Sequence, residues 1–152
     1  MCSSDLADDM TDLPKALRED LRGVFVFDGL TFEQIRPSQL DETVKYTAVL
    51  RDGHVIESVF MTYRAGTSVC ISAQSGCRMG CDFCASARAG FGRSLTAGEM
   101  LAQVARIRAE RGRRIDHVTV MGIGEPLENL DALLDFLHRG RQIGRASCRE
   151  RV

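Results

Sequence analysis

Residues 43–50 and 54–61 are two runs rich in apolar and β-branched positions, and both faces of the second are largely apolar. Arg51-Asp52-Gly53 separates them, so the pattern predicts a β-hairpin with Asp-Gly at its turn. Along the second strand Val55, Glu57, Val59 and Met61 share one face and Ile56, Ser58 and Phe60 the other. Upstream, residues 14–27 read as a short helix with Pro14 in its first turn, Leu17 and Leu21 on one face, and Gly23 able to close it. Residues 30–39 carry no pattern that separates helix from strand. Downstream, residues 68–72 (SVCIS) are a short β-prone run. Residues 96–111 predict a helix: Thr96 caps it, Glu99 completes a capping box, and Met100, Val104 and Ile107 line one side before Gly112 ends it. Residues 116–121 read as a buried strand followed by GIGEP. Residues 129–138 read as a helix with Leu130, Leu133, Leu134 and Leu137 as its apolar stripe and Gly140 as its stop.

From residue 68 the order is strand, loop, helix, strand, loop, helix, which predicts the start of a parallel α/β sheet with right-handed crossovers. Two parallel strands bury too little to stand alone, so this part reads as the opening of something longer. The expected organisation is an accessory region of helix and hairpin over 7–66 and the first βα units over 67–141. The ends, 1–6 (MCSSDL) and 142–152 (QIGRASCRERV), have no usable period and resemble translated sequencing-adaptor sequence; they are expected to be non-native. That sets aside Cys2 and Cys148.

Composition narrows the class. With 152 residues, 44% apolar and 27% charged, the chain has the make-up of one soluble domain. No apolar run approaches the roughly 20 residues that span a bilayer. The first residues lack a secretory pattern. The expectation is a cytoplasmic monomer with no membrane partner, where clustered cysteines bind metal or do catalysis rather than staple the chain. Without the two ends the balance is 17 basic against 19 acidic residues, net −2, which gives no support for nucleic-acid binding. The one basic cluster, Arg106, Arg108, Arg111, Arg113 and Arg114, falls where a helix C-terminus favours cations anyway.

The candidate chemistry sits in GCRMGCDFCASARAGF, residues 76–91, where Cys77, Cys81 and Cys84 fall within eight residues. Thiolates select iron–sulfur centres or zinc. A structural zinc site wants four ligands, and no histidine lies in the loop. Three thiolates suit a [4Fe–4S] cluster with one iron left open; a small zinc-binding or partner-binding module without catalysis is the competing reading. Glu57 lies on a mainly apolar strand face, where burial would make it a usable base. Spacing alone favours a glutamate with its head in water. Likewise Gly122 and Gly124 let backbone come close, and Glu125 before Pro126 also fits an acid that starts a helix.

CRMGCDFC is the C-x3-C-x2-C motif of radical S-adenosylmethionine enzymes, with Phe83 before the last cysteine. More widely, VCISAQSGCRMGCDFCASARAGFGRSLTAGEMLAQV and VMGIGEPLENLD resemble the RlmN/Cfr family of RNA adenine methyltransferases. MTDLPKALREDL and the hairpin through VIESVF resemble that family's accessory region. The resemblance runs from about residue 7 to residue 141.

It implies an α/β fold: the first βα units of a partial TIM-type radical SAM barrel, preceded by a small helical and β-hairpin accessory region, and truncated. It also implies that Cys77, Cys81 and Cys84 bind a [4Fe–4S] cluster whose open iron chelates S-adenosyl-L-methionine, and that Gly124 and Glu125 meet the methionine part of that cofactor. Glu57 corresponds to the proposed proton acceptor. Cys70 corresponds to a cysteine that resolves a covalent enzyme–RNA intermediate through a disulfide with a distant methyl-carrying cysteine, which has no counterpart here. The implied reaction methylates carbon 2 of adenine in 23S rRNA and tRNA, with electrons from a donor such as a flavodoxin-type protein. Cfr-type methylation of carbon 8 is the alternative within the family. These residues alone are expected to be inactive.

Overall fold

The computed structural model describes residues 14, 15, 29–88 and 90–146, the last six through their backbone. The helix predicted over 14–27, with Leu17, Leu21 and Gly23, lies almost wholly outside the described residues. So do Cys2, Cys148 and most of both ends.

Strands β1 (Leu30–Pro37), β2 (Val44–Leu50), β3 (Val55–Tyr63) and β4 (Gly66–Cys70) form an antiparallel meander. A separate two-stranded antiparallel ladder follows, β5 (Gln74–Gly76) with β6 (Phe91–Ser94), and the cysteine loop and a one-turn helix α1 (Ala85–Arg88) run between its strands. Helix α2 (Ala97–Arg111) leads to β7 (His117–Thr119), which adds to the main sheet parallel to β4. A 3₁₀ turn over Pro126–Asn129 opens onto helix α3 (Leu130–Ala146). The main sheet therefore has the order β1-β2-β3-β4-β7.

The hairpin forms as the two runs and the turn between them predict. Ile56, Ser58 and Phe60 are buried, whereas Glu57, Val59 and Met61 on the other face are only partly covered. Cross-strand register puts Tyr46 opposite Ser58 and Phe60 opposite both Val44 and Val69, so one face of three strands is continuous. Helix α2 covers that face with Met100, Gln103 and Ile107, all fully buried. Each large apolar side chain enclosed there contributes about 1.5–3 kcal/mol relative to exposure. The α2 boundaries follow the predicted caps. Thr96 accepts from Glu99 N–H and Glu99 reaches back to the Thr96 N–H at 2.9 Å, closing the capping box. Gly112 ends the helix with φ +59°.

Three features add to the expectations or correct them. First, residues 30–37 are an edge strand. Its alternation is broken by a register shift between Phe32 and Gln34, which hides the period, and Pro37 is tolerated because, among the described residues, no further strand pairs beyond the edge. Second, the parallel pair β4–β7 does not stand on its own, as its small size required. β4 also pairs with β3, so the hairpin and the first βα unit share one five-stranded mixed sheet. Third, α3 runs through Gly140 to Ala146, because a single glycine inside a helix costs only about 1 kcal/mol against alanine. The packed side of α3 also differs from the predicted stripe. Phe136 is buried, with Ala132 and Leu133 partly so, while Leu130, Leu134 and Leu137 are about half exposed. A helix apolar on two sides has no period that says which side meets the core.

Candidate functional site

The sheet delivers its candidate residues at the C-terminal ends of the parallel strands. Beyond β4 and β7 the two segments stay zipped: Ile71 N–H donates to Thr119 O at 2.9 Å and Gly122 N–H to Ile71 O at 3.0 Å. Ala73 and Gln74 N–H then both donate to Ile123 O, at 3.0 and 3.1 Å. This approach needs Gly124. Its φ is +102°, and a Cβ there would lie 2.5 Å from the Gln74 Cβ. Thus the closeness expected of GIGEP is first of all closeness to its own neighbouring strand. The Glu125 N–H is held by Gln74 Oε1 at 3.0 Å, and its carboxylate accepts from Leu127 N–H at 3.1 Å, capping the 3₁₀ turn. The helix-start role that Pro126 suggested for Glu125 is therefore real. Asn129 Nδ2 pins that turn by donating to Ala73 O and Leu95 O, at 3.0 and 2.7 Å.

Gln74 is the joint between this corner and the cysteine loop. It is buried, and while its Oε1 holds Glu125 its Nε2 donates to Ser94 Oγ at 3.2 Å. The loop leaves from Gly76 and returns at Phe91, where Gly76 pairs with Phe91 and Cys77 N–H donates to Gly90 O at 3.1 Å. Gly76 has φ +81°, and a Cβ would stand 1.8 Å from the Gly90 oxygen, so the neck closes only over a glycine.

On the loop, Cys77, Cys81 and Cys84 are free and partly exposed. Cys84 N–H donates to Cys81 O at 3.0 Å, which ties the last two cysteines into one turn. The Ser86 N–H, the Ser86 hydroxyl and the Ala87 N–H all favour the Cys84 thiolate and lower its pKa. Phe83 projects into solvent. Among the described residues, no group of three or more His, Cys, Asp or Glu side chains is gathered tightly enough to hold a metal ion. The donor chemistry nevertheless fits a thiolate-bound cluster: three unpaired thiols, one turn that joins two of them, and no competing histidine on the loop.

Cys70 and Glu57 fall on the other face of the sheet. Cys70 lies opposite Val59, two residues along β3 from Glu57, so the two share that face. Cys70 is free, and the disulfide implied for it has no partner among the described residues. Glu57 keeps its head partly in water, as its spacing favoured, and the burial that would make it a stronger base is not found. Its carboxylate is 39% exposed and pairs with Lys45 Nζ at 2.6 Å.

Two buried residues that the sequence pattern did not single out connect these parts. Ser72 Oγ donates to Glu57 O at 2.6 Å and accepts from Ile123 N–H at 3.0 Å. Gln103, fully buried on α2, accepts at Oε1 from Ser58 Oγ and Ser72 N–H, at 2.8 and 2.9 Å, and donates from Nε2 to Ser72 O at 3.0 Å. A glutamine within an otherwise apolar helix stripe was the available signal. The basic cluster is occupied structurally: Arg113 pairs with Glu42, Arg114 with Asp116, and Arg111 lies over the Phe60 ring.

No family model matches the chain. A curated relative described as "Probable dual-specificity RNA methyltransferase RlmN" from Pelotomaculum thermopropionicum is 48% identical over 129 residues, 85% of this chain and 35% of that protein. Another of the same description, from Desulforamulus reducens, is 45% identical over 130 residues, 86% of this chain and 37% of that protein. A crystal structure of a radical SAM methyltransferase from Sphaerobacter thermophilus superposes with a TM-score of 0.79 at 42% identity, covering 86% of this chain and 39% of that one.

The resemblance to the RlmN/Cfr family holds. The fold matches the corresponding part of that radical SAM methyltransferase: an α/β arrangement in which the meander precedes the first βα unit. The chain spans about 35–40% of the length of the RlmN relatives it matches. No described helix is long and apolar enough to cross a membrane.

Proposed function

We propose that this chain is the cluster-loop segment of an RlmN-type RNA methyltransferase that acts on carbon 2 of adenine in 23S rRNA and tRNA. The observation that carries the reading is the juxtaposition made by Gln74, which holds Glu125 with one end of its amide and the neck of a three-cysteine loop with the other. Cys77, Cys81 and Cys84 would hold a [4Fe–4S] cluster. Gly124 and Glu125 would form the edge against which S-adenosyl-L-methionine is oriented, with the Glu125 carboxylate able to accept from an ammonium group. When bound, the cluster supplies one-electron reduction of the sulfonium.

The chain's own part is positional. The glycine-closed neck fixes where the thiols start and end. The 3₁₀ turn keeps Glu125 beside Gln74. The α2-covered core closes one face of the main sheet. Glu57 would act as proton acceptor, with Lys45 beside it to hold the carboxylate in place. Cys70, on the same face, would be the thiol that resolves an enzyme–RNA adduct. An external electron donor, such as a flavodoxin-type protein, completes the scheme.

Anaerobic reconstitution with iron and sulfide tests the cluster assignment. The expected result is a brown chain with about four irons and four sulfides, absorbing broadly near 400 nm. Cys77→Ala, Cys81→Ala and Cys84→Ala should each lose it. A colourless chain that holds one zinc, or a full cluster in all three variants, overturns the assignment. Product analysis with the longer protein that carries this segment separates carbon 2 from carbon 8.

A further inference from the structure

Arg93 lies on β6, two residues past Phe91 where the cysteine loop rejoins the fold, and every nitrogen of its guanidinium is engaged. Nε is paired with the Asp52 carboxylate, which belongs to the turn of the β2–β3 hairpin. Nη1 and Nη2 donate to the two oxygens of Glu99 at 2.9 and 2.6 Å. Glu99 is itself fixed as the capping-box acid of α2, and its side chain is only 16% exposed. The backbone of Arg93 is held as well, its N–H donating to Ser75 Oγ at 3.0 Å across the neck. The hairpin turn rests directly on the neighbouring residue: a Cβ at Gly92 would lie 2.6 Å from the His54 ring. One side chain thus joins three parts far apart in sequence, namely the hairpin turn, the return strand of the cysteine loop and the start of the first crossover helix.

We propose that Arg93 is a positioning residue that clamps the neck of the cysteine loop to the tip of the β2–β3 hairpin, so that the hairpin sets how firmly the loop holds what it binds. A lysine cannot serve this purpose. It carries the same charge but lacks the planar fork that meets two carboxylates at once. The functional consequence rests on the reading of Cys77, Cys81 and Cys84 as cluster ligands; the clamp itself does not.

The test compares amide exchange at Cys77 in the full chain with that of Arg93→Lys and Asp52→Asn. Asparagine can still accept from His54 N–H as Asp52 does at 3.2 Å, so the turn is kept and only the charge is lost. The Cys77 N–H reports the neck because it donates to Gly90 O. In both variants its exchange should rise roughly fivefold to tenfold while amides of the β2–β3 ladder keep their rates. Iron release to a chelator from the anaerobically reconstituted chain should quicken by a similar factor. Wild-type exchange at Cys77 in both variants, or an equal rise across β2–β3, overturns the clamp. Faster exchange with unchanged iron release overturns its link to cluster retention. Faster exchange in a chain that takes up no iron–sulfur cluster at all supports the clamp and removes the cluster reading alone.

Discussion

Gln103 and Ser72 hold each other from both sides. The Ser72 N–H donates to Gln103 Oε1 at 2.9 Å, and Gln103 Nε2 donates back to the Ser72 carbonyl at 3.0 Å. The pair mimics one rung of a sheet, with a helix side chain in place of a strand. It stands where β4 ends and the chain turns toward the cysteine loop. Its surroundings are dry, so each group depends on its partner. Gln103→Leu keeps the volume but leaves the Ser58 hydroxyl and both Ser72 backbone groups unpaired. The expected loss is about 2–4 kcal/mol in urea unfolding, since each buried polar group stranded in this way costs roughly 1–3 kcal/mol. Ser72→Ala removes only the links from Ser72 Oγ to Glu57 O and Ile123 N–H, and should cost about 1–2 kcal/mol. A Gln103→Leu chain as stable as wild type would show that the network adds nothing.

The neck gives a sharper contrast. Gly76 and Gly90 both have positive φ, +81° and +76°. A Cβ at Gly76 would strike the Gly90 carbonyl, whereas one at Gly90 meets nothing within 4 Å. Gly90→Ala should therefore cost only the strain of a left-handed alanine, about 1–2 kcal/mol. Gly76→Ala should open the neck, with exchange at Cys77 rising well beyond its value in Gly90→Ala. Equal effects of the two substitutions would mean that the close approach at Gly76 is relieved without cost.

Local rules made much of this legible. The hairpin over 43–61, both caps of α2 and the cysteine loop follow from period, capping chemistry and spacing, which depend on near neighbours in sequence. The resemblance then located Gly124 and Glu125. What could not be read depends on contacts between distant segments. The β5–β6 ladder pairs only three residues on each side, too few for a period. The bulge at 32–34 interrupts the alternation of β1. Ser72 and Gln103 look unremarkable until β4 and α2 are packed together. Glu57 shows how far spacing reaches: its face and its partly exposed head were both legible, and only its partner, Lys45 on the neighbouring strand, was not.

Acid should loosen the connection before β7. Asp116 accepts from the Thr67 N–H and hydroxyl at 2.9 and 3.1 Å, and the backbone donor chiefly lowers its pKa. A carboxylate depressed in the folded state adds stability that is fully present above its unfolded pKa, near 3.9, and is lost as pH falls through the folded value. Asp52 and Glu42 are lowered in the same direction, by Arg93 and Arg113 respectively. Stability measured by urea unfolding should hold from pH 7 to about 5 and fall below about 4. Asp116→Asn should be less stable at pH 7 and less dependent on pH, so that the two curves converge in acid. Parallel curves would show that Asp116 is not a source of the acid sensitivity.

Helix α3 offers the last discrimination, between two apolar sides of one element. Phe136 is 4% exposed and joins the core, whereas Leu134, two residues away, is 55% exposed. If the helix docks through Ala132, Leu133 and Phe136, then Phe136→Ala removes a buried ring and should cost about 3–5 kcal/mol. Leu134→Ala should change stability by no more than about 0.5 kcal/mol, because it takes little surface from a packed site. The opposite ranking, with Leu134 costly and Phe136 nearly neutral in urea unfolding, would mean that the Leu130, Leu134 and Leu137 part of the predicted stripe faces the core after all. Since helix rotation exchanges the two sides, this single pair of variants fixes how α3 is seated on α2.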